Sequence, residues 1–208
     1  MEVGALMTEI LRGRIINVRG TSGSGKTTAI RELMAQYVPG GTQTLYGESV
    51  TKPEGYRLVS MDESLAPLYV VGSYENVCGG CDQIKTQDEI CDRVRRYSLL
   101  GDVVLEGLLM SHVYGRWAAL ADELQTSFIF AFLDTPEELC VQRVKDRRAA
   151  RAEAKGVVLE PLNETNTRQK WKDNRRTYEK FRSSGHDARW LDHTRPGEIL
   201  MQWLRSGK

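Results

Sequence analysis

Nowhere in the 208-residue chain do apolar residues run together for the roughly 18 positions that a membrane-crossing helix needs, so no membrane partner is expected. The amino-terminal stretch carries Glu2 and Glu9 and no long apolar run, which argues against a secretory signal and for a cytoplasmic setting. Thiols are few: Cys78, Cys81, Cys91 and Cys140. Cys78-Gly79-Gly80-Cys81 is a lone CxxC, a pattern that zinc, redox chemistry or coincidence can each produce. Zinc wants four ligands, and His112, His186 and His193 show no matching spacing, so reduced, incidental thiols are expected. No internal repeat is present. Neither sign of charge dominates: 29 basic residues face 28 acidic ones, a net of +1. With 40% hydrophobic and 27% charged residues the chain reads as globular, and its length suits a single α/β domain over 1–208.

What the chain does have is Gly20-Thr21-Ser22-Gly23-Ser24-Gly25-Lys26-Thr27-Thr28, which fits G-x-x-x-x-G-K-[ST]. Its glycines let successive backbone N–H groups turn inward around a polyphosphate. Lys26 then supplies a point charge for the β- and γ-phosphates, and Thr27 a hydroxyl for Mg²⁺. Arg14–Val18 reads as a buried strand and Thr27–Tyr37 as a helix whose positive end faces the same anion. The spacing therefore predicts a nucleoside-triphosphate site, with ATP and Mg²⁺ as cofactors and residues 20 to 28 around the phosphates.

Further elements follow from pattern. Residues 1–12 suggest a leading helix, and Pro39-Gly40-Gly41 ends the helix after the loop. Segment 42–85 is the irregular part, an insertion on the acceptor side. Arg57–Met61 and Leu68–Gly72 read as a hairpin around Asp62–Pro67, followed by a glycine-bearing loop at 73–85. Thr86 with Glu89 has the form of a capping box opening a helix to about Leu100. Asp102–Gly107 and Ser127–Asp134 are apolar runs of the kind that form buried parallel strands, with a helix near 113–124 between them. Thr135–Glu138 caps a long arginine-rich helix that fades near Gly156; a loop, a helix over 167–183, a strand at 188–192 and a closing helix from Pro196 complete the order. Alternation of this kind predicts a mostly parallel sheet with helices on both faces. Between Arg143 and Arg182, thirteen Lys/Arg face six Asp/Glu, a net of +7, so the remainder carries −6. Such a run is either a solvated face or counter-charge for bound polyphosphate or nucleic acid, and beside a phosphate loop the second is favoured.

The order of parts resembles the P-loop kinases of nucleosides and nucleotides. Val103–Gly107 is similar to their acidic strand, Phe132–Glu138 with Arg143, Arg147 and Arg148 to their strand-to-lid segment, and Leu191–Thr194 with Pro196–Glu198 to their closing turn. The resemblance implies a three-layer fold with an arginine-rich lid at about 143–166. Gly72-Ser73-Tyr74, Gly79-Gly80-Cys81-Asp82 and Leu105–Leu109 more closely resemble bacteriophage kinases of 5-hydroxymethyluracil in DNA. That likeness implies transfer of phosphate to the base's hydroxymethyl group, DNA carrying a modified thymine as partner, and the host cytoplasm as the setting.

Phosphoryl transfer needs neutralised charge, in-line geometry and a proton acceptor. Thr27 and, through water, Glu106 are the candidates for Mg²⁺; a helix-capping role is the other reading of Glu106. Arg143, Arg147 and Arg151 share a helical face toward the phosphates, with Arg148 about 100° beyond Arg147 as a further nucleotide contact. Asp82 is the first candidate for the base and Asp62 the second, although a turn-forming role fits Asp62 equally. Gly79 and Gly80 allow close approach of an acceptor or simply make a turn, and Tyr74 can stack on a base. Trp171, Arg175, Tyr178 and Arg182 recur on one helix face, more in keeping with packing than with a ligand. A kinase of free nucleotides or other small hydroxyl compounds fits the same residues. A nucleotide-driven switch fits less well, because no Asp-x-x-Gly follows the acidic strand.

Overall fold

The computed structural model describes residues 12–37, 41–47, 52–76, 79–158 and 161–206. The expected leading helix at 1–12 falls almost wholly outside them, as do Cys78 and Pro39-Gly40.

Seven strands form one sheet: β1 (Ile15–Arg19), β2 (Thr42–Tyr46), β3 (Pro53–Leu58), β4 (Leu68–Val71), β5 (Asp102–Glu106), β6 (Phe128–Leu133) and β7 (Asp187–Leu191). Their spatial order is β2-β3-β4-β5-β1-β6-β7. From β4 to β7 every pairing is parallel, and β2 and β3 add an antiparallel edge. The helices are α1 (Lys26–Tyr37), α2 (Gln87–Ser98), α3 (Gly115–Leu124), α4 (Glu137–Lys155), α5 (Glu164–Ser183) and α6 (Pro196–Arg205).

The layers follow from strand alternation. In β1, Ile16 and Val18 face a core shared with Ile30 and Leu33 of α1 and Leu200 and Leu204 of α6. Ile15 faces the other core, with Val94 of α2, Trp117 of α3 and Phe181 of α5. The apolar runs of β1, β5 and β6 are buried along their whole length because both faces are covered. At the amino edge of the parallel strands, the Arg14 guanidinium grips Asp102 at 2.7 Å. Loops at the opposite, carboxyl edge are thereby left to build a site.

The edge differs from expectation. The first hairpin arm lies at Pro53–Leu58, upstream of the expected 57–61, and β2 was not anticipated. An edge strand buries little, and Thr42-Gln43-Thr44 accordingly shows no apolar alternation. Thr86 does cap α2, accepting from the Glu89 N–H at 3.2 Å. Thr135 does not cap α4: Pro136 occupies that position with no side-chain cap, and the Thr135 hydroxyl donates to the Ser24 carbonyl at 2.8 Å. α5 begins three residues earlier than expected, where the Asn163 side chain accepts from the Thr165 N–H.

Candidate active site

β1 ends at Arg19 and the chain turns at once through Gly20–Gly25 into α1. Gly23 and Gly25 hold φ of +80° and +100°, the left-handed region that favours glycine. A Cβ on Gly23 would lie 2.3 Å from the Cys140 carbonyl, so the first turn of α4 rests directly on the loop. Lys26, itself buried, donates to the Gly20 and Thr21 carbonyls at 2.9 and 3.1 Å. Burial pushes its ammonium pKa down; Glu106 and Asp82 oppose that shift, and Arg147 adds to it. Arg143 donates to the Gly23 carbonyl at 3.3 Å, placing a guanidinium over the loop.

Glu106 closes β5 beside this turn. It is 1% exposed, and its Oε1 accepts from the Thr27 hydroxyl at 2.8 Å. Burial pushes its carboxyl up to about 7, against the pull of Lys26. Both groups offer hard oxygens of the kind Mg²⁺ selects, and a site with one carboxylate leaves room for phosphate and water.

The acceptor-side loop folds back onto the same carboxylate. The Gly80 N–H donates to the Ser73 carbonyl at 2.8 Å, and Gly80 holds φ of +76°. A Cβ there would sit 2.6 Å from the Glu106 carbonyl, so no side chain fits between loop and strand. Asp82 follows within a short 3-10 turn and stays exposed. Its Oδ1 accepts from the Leu108 and Leu109 N–H groups at 2.7 and 3.4 Å.

The other expected residues are placed less uniformly. Asp62 lies at the wrong end of the sheet: its turn joins Leu58 and Leu68, whose partner is Asp102, the start of β5, whereas the phosphate loop faces the end of that strand. There it accepts from the Ser64 N–H and hydroxyl, the turn-forming role. Tyr74 is buried edge-on against Tyr56, and its ring is not offered for stacking on a base. Gly79 is buried under Tyr74. Arg148 and Arg151 extend along α4, half-buried and exposed respectively. Cys81 is buried with its thiol pKa raised by burial, unsuited to redox chemistry. The α5 stripe packs: Trp171 donates to the Thr135 carbonyl, and Arg175 lies over Trp171 and Trp190 while meeting Asp134.

Residues that the sequence did not single out brace the corner. The Ser111 hydroxyl accepts from the Gly20 N–H at 3.3 Å and donates to the Gly107 carbonyl at 2.8 Å. Arg19 and Asn174 both donate to the Ser111 carbonyl. Arg19 is fully buried among Trp117, Phe130, Phe132 and Phe181, and burial lowers its pKa to about 9. A charged residue closing a mostly apolar strand was the one visible signal. Ser111 gave none.

A glycine turn, a lysine, a hydroxyl–carboxylate pair and an exposed aspartate thus meet at one sheet edge, in a chain whose relatives are phosphotransferases. A protein of Pseudomonas phage PaMx11 described as a 5-hmdU DNA kinase is 40% identical over 174 residues, covering 83% of this chain and 87% of its own. A 5-hmdU DNA kinase of Pseudomonas phage M6 is 30% identical over 148 residues, 66% of this chain and 74% of that one. The 5-hmdU DNA kinase 1 of Salmonella phage ViI is 26% identical over 158 residues, 72% and 66% of the two chains. No protein-family model matches the chain. It belongs to the 5-hmdU DNA kinase family.

Proposed function

We propose that the protein transfers the γ-phosphoryl group of ATP to the hydroxymethyl oxygen of 5-hydroxymethyluracil in DNA. The observation that carries this reading is the meeting of Lys26, the Thr27–Glu106 pair and Asp82 at one sheet edge, in a chain related to kinases of that description. The backbone N–H groups of 20–28 cradle the phosphates, while Lys26, Arg143 and Arg147 offset charge on the transferring group. Arg148 is a further nucleotide contact. Thr27 and Glu106 would hold Mg²⁺, which supplies charge neutralisation when bound. Asp82 takes the hydroxyl proton; with Oδ1 fixed by two N–H donors, its second oxygen is left for the substrate. The new oxygen–phosphorus bond forms as the bond to the β-phosphate bridging oxygen breaks, and ADP leaves. Gly79 and Gly80 keep bulk away from the approach. The three-layer kinase fold with a lid at about 143–166 is part of this reading.

The test is incubation with γ-labelled ATP and hydroxymethyluracil DNA, thymine DNA or the free hydroxymethyl nucleotide. Label on the first alone is expected. Label on the free nucleotide and none on DNA would replace this reading with a small-molecule kinase.

A further inference from the structure

Beside the reacting corner a groove of about 880 Å³ opens between the β2–β3 hairpin, the first half of α2 and residues 83–85. It shares a wall with the corner. Gln83, which lines it, directly follows Asp82, and Ser73, also in the lining, is bonded to the Gly80 that lies on Glu106. The lining is charged where small-molecule pockets are mostly apolar. Lys52 and Lys85 are exposed in it, and Arg93 and Arg96 reach into it from α2. The Glu54 carboxylate accepts from Arg96 at 2.9 Å and forms an ion pair with Arg93 at 3.6 Å, and so holds the two guanidiniums side by side. Glu89 and Asp92 complete the charges, leaving four cations against three anions. At the hairpin rim Tyr46 is 54% exposed, immediately before the Gly47 that lines the groove.

Lysines and arginines in a groove with an exposed aromatic residue next to its lining make a pattern suited to single-stranded nucleic acid. Cations follow the backbone, and any base can stack on the ring. Tyr74 is buried in the core, so a stacking surface on this side has to come from elsewhere, and Tyr46 supplies it.

We propose that this groove holds the DNA segment flanking the reacting base, in single-stranded or locally opened form, with Lys52, Lys85 and Arg96 on its phosphates and Tyr46 beneath a base. The proposal rests on the DNA reading above. A net charge of only +1 in the lining means few phosphate contacts and a shallow dependence on salt.

The experiment measures binding of, and transfer to, a hydroxymethyluracil single strand across a salt series. It compares the wild type, the Lys52→Ala/Lys85→Ala double variant and Tyr46→Ala, with nucleotide affinity and melting midpoint as folding controls. Each lost phosphate contact lowers the slope of log K against log salt by about 0.7, so the double variant loses about 1.4. Tyr46→Ala weakens binding about fivefold or more with the slope unchanged. A folding defect would not move the slope. If the wild type phosphorylates the strand and both variants keep its affinity and slope, the groove is not the DNA path. If the wild type labels the free nucleotide and not DNA, the parent reading fails and this proposal falls with it.

Discussion

Glu106 carries a conflict between stability and chemistry. A buried carboxyl with its pKa raised from 4.5 to about 7 is held protonated by the fold more tightly than by the unfolded chain. Stability from that group is therefore complete below pH 4.5 and is lost as pH rises through about 7, on the order of 3 kcal/mol across the window. In Mg²⁺-free buffer the wild-type melting midpoint should fall between pH 5 and pH 8, beyond any trend in Glu106→Gln. At pH 8 the variant should be the more stable protein and a poor enzyme. Parallel pH–stability curves would show that the carboxyl is ionised at little cost. Asp82 makes a cleaner test of chemistry. Asn in its place still offers an Oδ1 to the Leu108 and Leu109 N–H groups, so Asp82→Asn keeps the turn and removes the proposed base. We expect nucleotide affinity to hold and transfer to drop about 10²- to 10⁴-fold. Asp62→Asn, at the far edge, should transfer normally in the same assay.

Among the elements, Gly107–Val113 has the widest reach. Asp82 caps its start, Ser111 braces the phosphate loop, and Arg19 and Asn174 tie its carbonyls to β1 and α5. Ser111→Ala strands a buried Gly20 N–H, which costs about 1–3 kcal/mol. Chemical denaturation should show that loss together with weaker nucleotide binding; an unchanged unfolding midpoint would mean that the Gly20 N–H finds another partner. The sequence announced β1, β5 and β6, since strands covered on both faces are written as short, mostly apolar runs. The turn at 20–25 was equally legible because left-handed backbone at Gly23 and Gly25 calls for glycine. β2 was silent because an edge strand has little to bury. The choice between Asp82 and Asp62 could not be read from the chain either. Both follow strand-like segments, and only the pairing of Leu58 with Leu68 reveals that one turn points away from the phosphates.

At the scale of the molecule, the sheet gathers function at one edge. Phosphate loop, acceptor loop and groove all lie at the carboxyl ends of parallel strands, while the Arg14–Asp102 pair closes the other side. The +7 stretch is less available than its charge suggests. Arg168 meets Glu137, Glu138 and Glu164, Lys145 meets Glu164, and Arg176 meets Asp173. These partly exposed pairs add little to stability, but Lys145–Glu164 and the Arg168 contacts with Glu137 and Glu138 join α4 to α5. Arg143, over the Gly23 carbonyl, and the Arg147 charge felt by Lys26 are the part of it that meets the glycine turn.

The aspartate proposed to receive the acceptor's proton is also the cap of the turn that braces the donor's loop. If a hydroxyl bound to the second Asp82 oxygen weakens what Oδ1 accepts from Leu108 and Leu109, Ser111 shifts its hold on Gly20, and the two ligands become thermodynamically linked. Whatever factor the acceptor strand imposes on nucleotide affinity, the nucleotide must impose on strand affinity, typically 5- to 150-fold for such couplings. Titrating a non-hydrolysable nucleotide with and without the strand, and the strand with and without nucleotide, should return one number by both routes. In Ser111→Ala that number should approach one, since the crossbar through which the sites communicate is cut.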